Sequence, residues 1–166
     1  MTISMYQASV PVFQKMLRNF DGILDKAAAS AAARKFDPQV LLNARLAPDM
    51  FHFTRQVQIA TAHATGGAAR LAGLEPPKFE DNEASFADLK GRLAQAQAFL
   101  ATLQPAQIDG SEERQIVLKY GPNVLEFTGL PYLTMFALPN FFFHYTTAYA
   151  ILRHNGVDLG KRDFAG

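Results

Sequence analysis

The stretch Leu130–Gly156 constrains the fold of this chain most, because it is the most apolar segment and has a proline near its middle. It begins with a Leu-Pro pair, and proline suits the first turn of a helix. It ends with Asn-Gly, which favours a helix stop. Pro139 cannot donate a backbone hydrogen bond and crowds the carbonyl four residues before it. We therefore expect a helix over Pro131–Leu138, a kink or restart, and a second helical piece over Pro139–Asn155.

This stretch is apolar on every side of the expected helix, which is typical of a helix buried on most of its surface. It does not fit a membrane span. Asn140 and His144 interrupt it, and Pro139 divides it below the roughly 18 uninterrupted apolar residues that such a span needs. We therefore expect a central helix against which the rest of the chain packs.

The chain before this stretch predicts three long helices and a short one. Apolar residues recur at helical spacing in three segments, Ser4–Arg34, Pro48–Gly73 and Ser85–Pro105. Ser4 is a plausible N-cap for the first. Pro11 lies inside that segment, so it either kinks the helix or moves its start to about that position. The short helix is expected over Pro38–Asn43, with Asp37 as its cap.

The spacing of apolar residues stops following the helical period after the third long helix, and the new pattern predicts a β-hairpin over Glu113–Thr128. Two runs of β-favouring residues flank Gly121-Pro122-Asn123, which indicates a turn of three residues or slightly more. The tail Val157–Gly166 is expected to be extended and to lie against the body through Phe164.

Together these elements predict an all-α fold in a single domain over residues 1–166. The expected architecture is a four-helix bundle with a small hairpin before the last helix. The connection Phe36–Pro48 is long enough for one crossover. The chain has 14 Phe and 49% hydrophobic residues. This excess of apolar helix surface favours further burial, so we expect a homodimer.

Composition excludes several function classes. There is no cysteine, which excludes a disulfide framework, thiolate metal ligation and a cysteine nucleophile. The formal net charge is +1, without the clustered basic residues of a nucleic-acid footprint. No membrane partner is expected either. The N-terminal residues lack the pattern of a signal peptide, so a cytoplasmic location is the expectation.

One polar ridge runs along the second long helix beside its apolar stripe. His52, Gln56, Ile59 and His63 recur at spacings of three and four, so they share one edge of that helix. Two histidines and a glutamine on such an edge are not typical of packing against an apolar core. This ridge is the candidate site that the residue spacing indicates.

A four-helix bundle with a histidine on the second long helix and another on the last helix resembles the DinB/YfiT-like superfamily. Within that superfamily, the amino-acid sequence is more similar to a bacterial subgroup that is catalogued as a domain of unknown function. The matching stretches span nearly the whole chain: YQASVPVF, LLNARLAPDMF, TRQVQIATAHA, LPNFFFHYTTAYAILRHNGV and GKRDF. The resemblance implies a DinB-like bundle. It also implies a divalent metal held by three histidines, one on the second helix and an H-x-x-x-H pair on the last. Some superfamily members are thiol-dependent transferases or isomerases.

Carried over residue by residue, the resemblance implies His63 as the ligand on the second helix and His144 as the first histidine of the pair. The third place holds Ala148, so one ligand of the zinc or nickel site is missing. His52 or Asp49 would have to supply it. Two neutral histidines, each hydrogen-bonded to a neighbour, are the alternative for the same pair.

Two function classes follow. One is a non-catalytic or metal-site-degenerate homodimer that binds a small molecule. The other is a divalent-metal-dependent enzyme of the thiol transferase or isomerase type that uses His63 and His144. In either class the candidate pocket residues are Gln56, Tyr145 and Ala148, because ligand pockets combine apolar walls with a few polar groups.

Overall fold

The computed structural model describes residues 3–166, apart from the side chain of Tyr120, and these residues are mostly helical with one two-stranded hairpin. The elements in chain order are α1 (Val10–Arg34), α2 (Gln39–Leu42), α3 (Phe53–Leu71), α4 (Phe86–Thr102), α5 (Pro105–Ile108), β1 (Gln115–Tyr120), β2 (Asn123–Thr128), α6 (Gly129–Pro131), a π-helical segment (Tyr132–Ala137), α7 (Leu138–His154) and α8 (Lys161–Ala165).

The long helices α1, α3, α4 and α7 share one core. Helix α3 packs most extensively on α7 and also against α4, while α1 packs on α4 and α8. The core face of α3 is built largely from alanine, at Ala60, Ala64 and Ala68, all fully buried. Such small side chains let the neighbouring helices approach closely. The expected helical architecture with a small hairpin is confirmed at this level.

Helix α1 begins at Val10, not at Ser4. Pro11 occupies its first turn, where the missing N–H has no helical acceptor to lose. Ser4 caps the preceding turn instead. Its hydroxyl accepts from the N–H of Gln7 at 3.3 Å, and its own N–H donates to the Gln7 side chain at 3.2 Å. Of the two expectations for Pro11, the moved helix start is correct.

The predicted start of the second long helix at Pro48 is wrong, because α3 begins at Phe53. His52 is its N-cap, with an extended backbone and a ring Nδ1 that accepts from the N–H of Arg55 at 3.2 Å. The N–H of Phe53 donates to the carbonyl of Ala44 at 2.8 Å. These two bonds fix residues 48–52 as a non-helical lead.

The third long helix and the hairpin follow the expected boundaries closely. The Ser85 hydroxyl accepts from the N–H of Asp88 at 3.1 Å, which caps α4 as predicted. The strands pair antiparallel with Tyr120 opposite Asn123. The turn therefore has two residues, not three or more. Gly121 takes the positive φ of 57° that the first position of such a turn requires.

The predicted break at Pro139 lies one turn earlier, in the π-helical segment Tyr132–Ala137. Pro139 itself stands in the first turn of α7. The N–H of Leu138 donates to the carbonyl of Leu133, five residues back, and this wider turn accommodates the proline ring. The Asn140 side chain donates to the carbonyl of Phe136 at 2.8 Å. None of the helices in residues 3–166 combines the length and apolarity of a membrane span.

The second half of the tail forms the short helix α8 (Lys161–Ala165), so the tail is not extended throughout as predicted. Phe164 stacks on Tyr145 of α7, with ring centroids 4.4 Å apart and planes 14° apart. It also meets Tyr149 edge-on at 5.7 Å. The expected docking through Phe164 is confirmed, and this ring anchors the C-terminal segment.

Replacing Phe164 by alanine is expected to lower the free energy of unfolding by about 2 kcal/mol, because the ring loses apolar burial and an aromatic stack. Urea denaturation measures the change. Phe51→Ala, which truncates a ring that is 56% exposed, is the matched control and should change stability by less than about 1 kcal/mol. Equal losses in the two variants would contradict the anchoring role.

Candidate functional site

The histidine pair predicted from the sequence is brought together by the contact between α3 and α7. His63 lies on α3 and His144 on α7, with ring centroids 5.9 Å apart and planes 9° apart. Phe136 of the π-helical segment also meets the ring of His63 edge-on, with centroids 5.8 Å apart. The two imidazoles therefore stack beside an aromatic wall. Metal binding by this pair stays a prediction.

A chain of hydrogen bonds fixes the protonation of His144. The Gln56 side-chain NH₂ donates to the carbonyl of Phe51 at 3.0 Å, which turns the Gln56 Oε1 towards α7. This oxygen lies 2.7 Å from Nδ1 of His144. An amide oxygen only accepts, so Nδ1 must carry a proton, and in the neutral ring the lone pair is then on Nε2. Gln56, named above as a candidate pocket residue, thus contacts His144 directly.

Both histidines are held in the neutral form. Burial lowers the pKa of His63 to about 4, and the nearby His144 and Arg70 add to the effect. Burial, with a contribution from Arg55, also lowers the pKa of His144. At neutral pH the pair offers unprotonated nitrogens to a ligand.

The unengaged ring nitrogens of the pair keep some solvent exposure. The buried side-chain polar atoms that lack a partner in residues 3–166 are Arg92 Nε and Ser111 Oγ, and neither histidine is among them.

The other proposed ligands do not join the pair. His52 uses its Nδ1 to cap α3, and 11 residues of helix place it about 16 Å from His63 along the axis. Ala148 is fully buried on α7 one turn after His144. Within the described part of the chain, no three His, Cys, Asp or Glu side chains cluster as a metal site would need.

A site of the kind that the resemblance implies needs three protein ligands, and His63 and His144 supply two. The described residues therefore do not make that three-ligand site.

Tyr145, named as a candidate pocket residue, lies on a different side of α7. Its ring is fully buried between Phe20 of α1 and Phe164 of α8, at centroid distances of 4.5 and 4.4 Å. Burial raises the pKa of its hydroxyl. Tyr145 thus ties α7 to α1 and α8 and does not face the histidine pair.

A cleft of about 300 Å³ opens beside His63. Its walls come mainly from the outer edge of α3, with Phe136 and Asp81 on the other sides: Arg55, Gln58, Ile59, Ala62, His63, Arg70, Asp81 and Phe136. Sequence analysis missed both arginines. The ridge spacing could have found Arg70, because it follows His63 by seven residues and Ile59 precedes His63 by four.

An ion cluster fixes the far wall of this cleft. Arg92 of α4 is only 3% exposed, and its Nη1 lies 2.7 Å from Asp81 and 2.8 Å from Glu83. Its Nη2 donates to the carbonyl of Gln58 at 3.0 Å. Asp81 also binds Arg55 at 2.7 Å. The loop before α4 is therefore held against α3, and the charge of Arg55 is balanced within the protein.

The chain is similar to a known protein family and to a solved structure. Residues 5–165 match the family described as Domain of unknown function (DUF1993). A crystal structure of a DinB family member protein from Shewanella denitrificans is similar, with 42% sequence identity and a TM-score of 0.87. The similarity covers 97% of this chain and 91% of that one. No curated protein matches.

The depressed pKa of His63 predicts a pH-dependent stability. The folded pKa, about 4, lies below the unfolded value near 6.5, so the unfolded chain binds more protons between these values. Stability should therefore fall as pH decreases from about 6.5 to about 4. Between pH 7 and about pH 4.5, protonation of His63 should lower the free energy of unfolding by about 2 kcal/mol. This is less than a fully buried histidine would give, because solvent screens a partly exposed ring.

Urea denaturation at both pH values measures this contribution. His63→Gln should lose less stability than the wild type on acidification. The control His154→Gln changes an exposed ring at the end of α7 and should behave as the wild type does. The same acid loss in His63→Gln and in the wild type would refute the assignment.

Proposed function

The chain belongs to the DUF1993 family of the DinB-like superfamily, and from this premise we propose that it is a non-catalytic small-molecule-binding protein with a degenerate metal centre. The ligand contacts the His63–His144 pair. One observation carries the proposal. Two neutral imidazoles lie side by side, the tautomer of His144 is fixed by Gln56, and His63 lines a cleft large enough for a small ligand.

The absence of a third ligand supports the non-catalytic assignment. Zinc-type catalysis uses three protein ligands and one open position. Here α7 carries Ala148 at the place where the superfamily pattern has a histidine. Two imidazoles suit hydrogen bonding to a ligand better than they suit a catalytic metal.

Ala148→His is expected to create measurable zinc or nickel affinity, because residues four apart share a helix face and the substitution restores H-x-x-x-H. The wild type should bind either ion weakly. Isothermal titration calorimetry with Zn²⁺ or Ni²⁺ alone measures both proteins. Ala148→Leu fills the buried position without a ligand and controls for overpacking, with thermal melting as the check on folding. Equal affinity in Ala148→His and in the wild type would remove the basis for a degenerate site.

A divalent-metal-dependent enzyme of the thiol transferase or isomerase type is the second candidate. One observation favours it: His144 donates its Nδ1–H to an amide oxygen, and metal-binding histidines are usually oriented by such a bond. Metal analysis of the natively purified protein by mass spectrometry separates the two. One bound ion per chain would favour the enzyme, and substoichiometric metal favours the binding protein.

We infer further that the four long helices form a bundle with one crossover. The support is the set of packing partners, in which α3 contacts both α4 and α7 while α1 contacts α4. The long connection between α1 and α3, which contains only the four-residue helix α2, is the place for the crossover.

A homodimer is the oligomeric state we infer. Its support is the exposed apolar surface around the start of α7, where Met135 is 76% exposed, Phe143 55% and Leu130 46%. Large apolar side chains exposed near one another in the sequence in this way favour association.

Met135→Glu is expected to shift the protein from dimer to monomer, because a charge would have to be buried in the interface. Sedimentation velocity at micromolar concentration measures the distribution. Val117→Glu, on the exposed hairpin at 53% exposure, is the matched control and should leave the dimer intact. A wild-type chain that sediments as an 18.3 kDa monomer would exclude the dimer.

A further inference from the structure

Arg70 carries a positive charge that the surrounding protein does not balance. No carboxylate in residues 3–166 lies within ion-pair distance of it. Its Nη1 donates to the hydroxyl of Tyr132 at 3.2 Å. Arg55, the other arginine of the cleft, is held by Asp81. A guanidinium has five N–H donors, so Arg70 keeps donors for a ligand.

Gly66 makes the room in which this guanidinium lies. A Cβ at position 66 would stand 2.7 Å from Nη1 of Arg70, a distance that would force the arginine side chain to move. A helix with an internal glycine is less stable than the same helix with alanine, so a glycine there indicates that a side chain would not fit. The adjacent Gly67 has a different one, because a Cβ there would meet Ala137 and Phe13 of the packed core. Gly66 is therefore a positioning residue for Arg70.

One part of the cleft lining is apolar and suits a flat apolar group. Ile59, Ala62 and Phe136 form it, and Phe136 lies edge-on to the neutral ring of His63. A neutral imidazole adds a hydrogen-bonding group without adding charge. The one unbalanced charge in the cleft, on Arg70, matches a single negative charge on the ligand.

We propose that this cleft binds a monocarboxylic acid with a flat apolar body, whose carboxylate is held by Arg70 and whose body lies against Phe136 and Ile59. The inference rests on the proposed ligand-binding function and names its ligand class. A guanidinium and a carboxylate have complementary planar geometry, and their charge-assisted hydrogen bonds are stronger than neutral ones.

Isothermal titration calorimetry with phenylacetate and its uncharged analogue phenylacetamide tests the class. The wild type should bind the acid more tightly than the amide. Arg70→Gln should weaken binding of the acid by about tenfold or more, the effect of a lost charge-assisted bond, and should leave the amide unchanged. Arg153→Gln, which changes an exposed arginine on α7, is the control and should bind as the wild type does.

Gly66→Ala separates positioning from folding. The added methyl group should displace Arg70 and weaken acid binding, while the melting temperature stays the same or rises because alanine favours the helix. A merely structural Gly66 would instead give a lower melting temperature with unchanged acid binding, and that result would overturn its assignment.

Histidine NMR signals of the wild type locate the site. Phenylacetate binding at Arg70 should raise the pKa of His63, because the carboxylate cancels the neighbouring positive charge, whereas phenylacetamide should not. Equal affinity for acid and amide, binding of the acid unaffected by Arg70→Gln, or tighter binding of inorganic phosphate would overturn the carboxylate inference. The proposed function survives those results if ligand binding still shifts the His63 and His144 signals. It fails with the inference if neither probe binds at millimolar concentration or if bound probes leave both signals unchanged.

Discussion

The hydrogen bond between Gln56 and His144 joins the two helices that pack together most extensively, α3 and α7. Its direction is set by a second bond, from the Gln56 amide to the carbonyl of Phe51 in the lead before α3. Burying an amide or an imidazole costs free energy unless the group makes a hydrogen bond. This chain of bonds therefore favours the one packing of α3 on α7 in which both groups are paired. It also determines which nitrogen of His144 carries the proton.

Much of the site's frame could be predicted from the sequence. Spacing identified the ridge that contains Gln56 and His63, and the superfamily resemblance added His144. The boundaries that failed depend on contacts that periodicity cannot reveal. Helix α3 starts late because the ring of His52 caps it, and the tail is helical where Phe164 reaches Tyr145. Both are side-chain interactions whose geometry exists only in the folded chain.

The cleft was harder to predict than the histidine pair for a physical reason. Its charges depend on long-range partners. Arg92 looks like a solvated helix residue in the sequence, but it is buried and holds Asp81, which in turn neutralises Arg55. Arg70 differs only because no carboxylate reaches it in the described residues. Whether an arginine is free to bind a ligand is therefore a property of the fold, although Gly66 four residues earlier is a local sign of it.

The tautomer of His144 tests this account most directly. Nitrogen-15 NMR of the imidazole rings at neutral pH distinguishes a protonated Nδ1 from a protonated Nε2. The account predicts that His144 is neutral, with the proton on Nδ1 and an unprotonated Nε2 available to a ligand. Gln56→Leu should abolish the preference for this tautomer. A neutral ring with its proton on Nε2 would contradict the bond on which the site is built, and a doubly protonated ring at pH 7 would contradict the neutral form of His144.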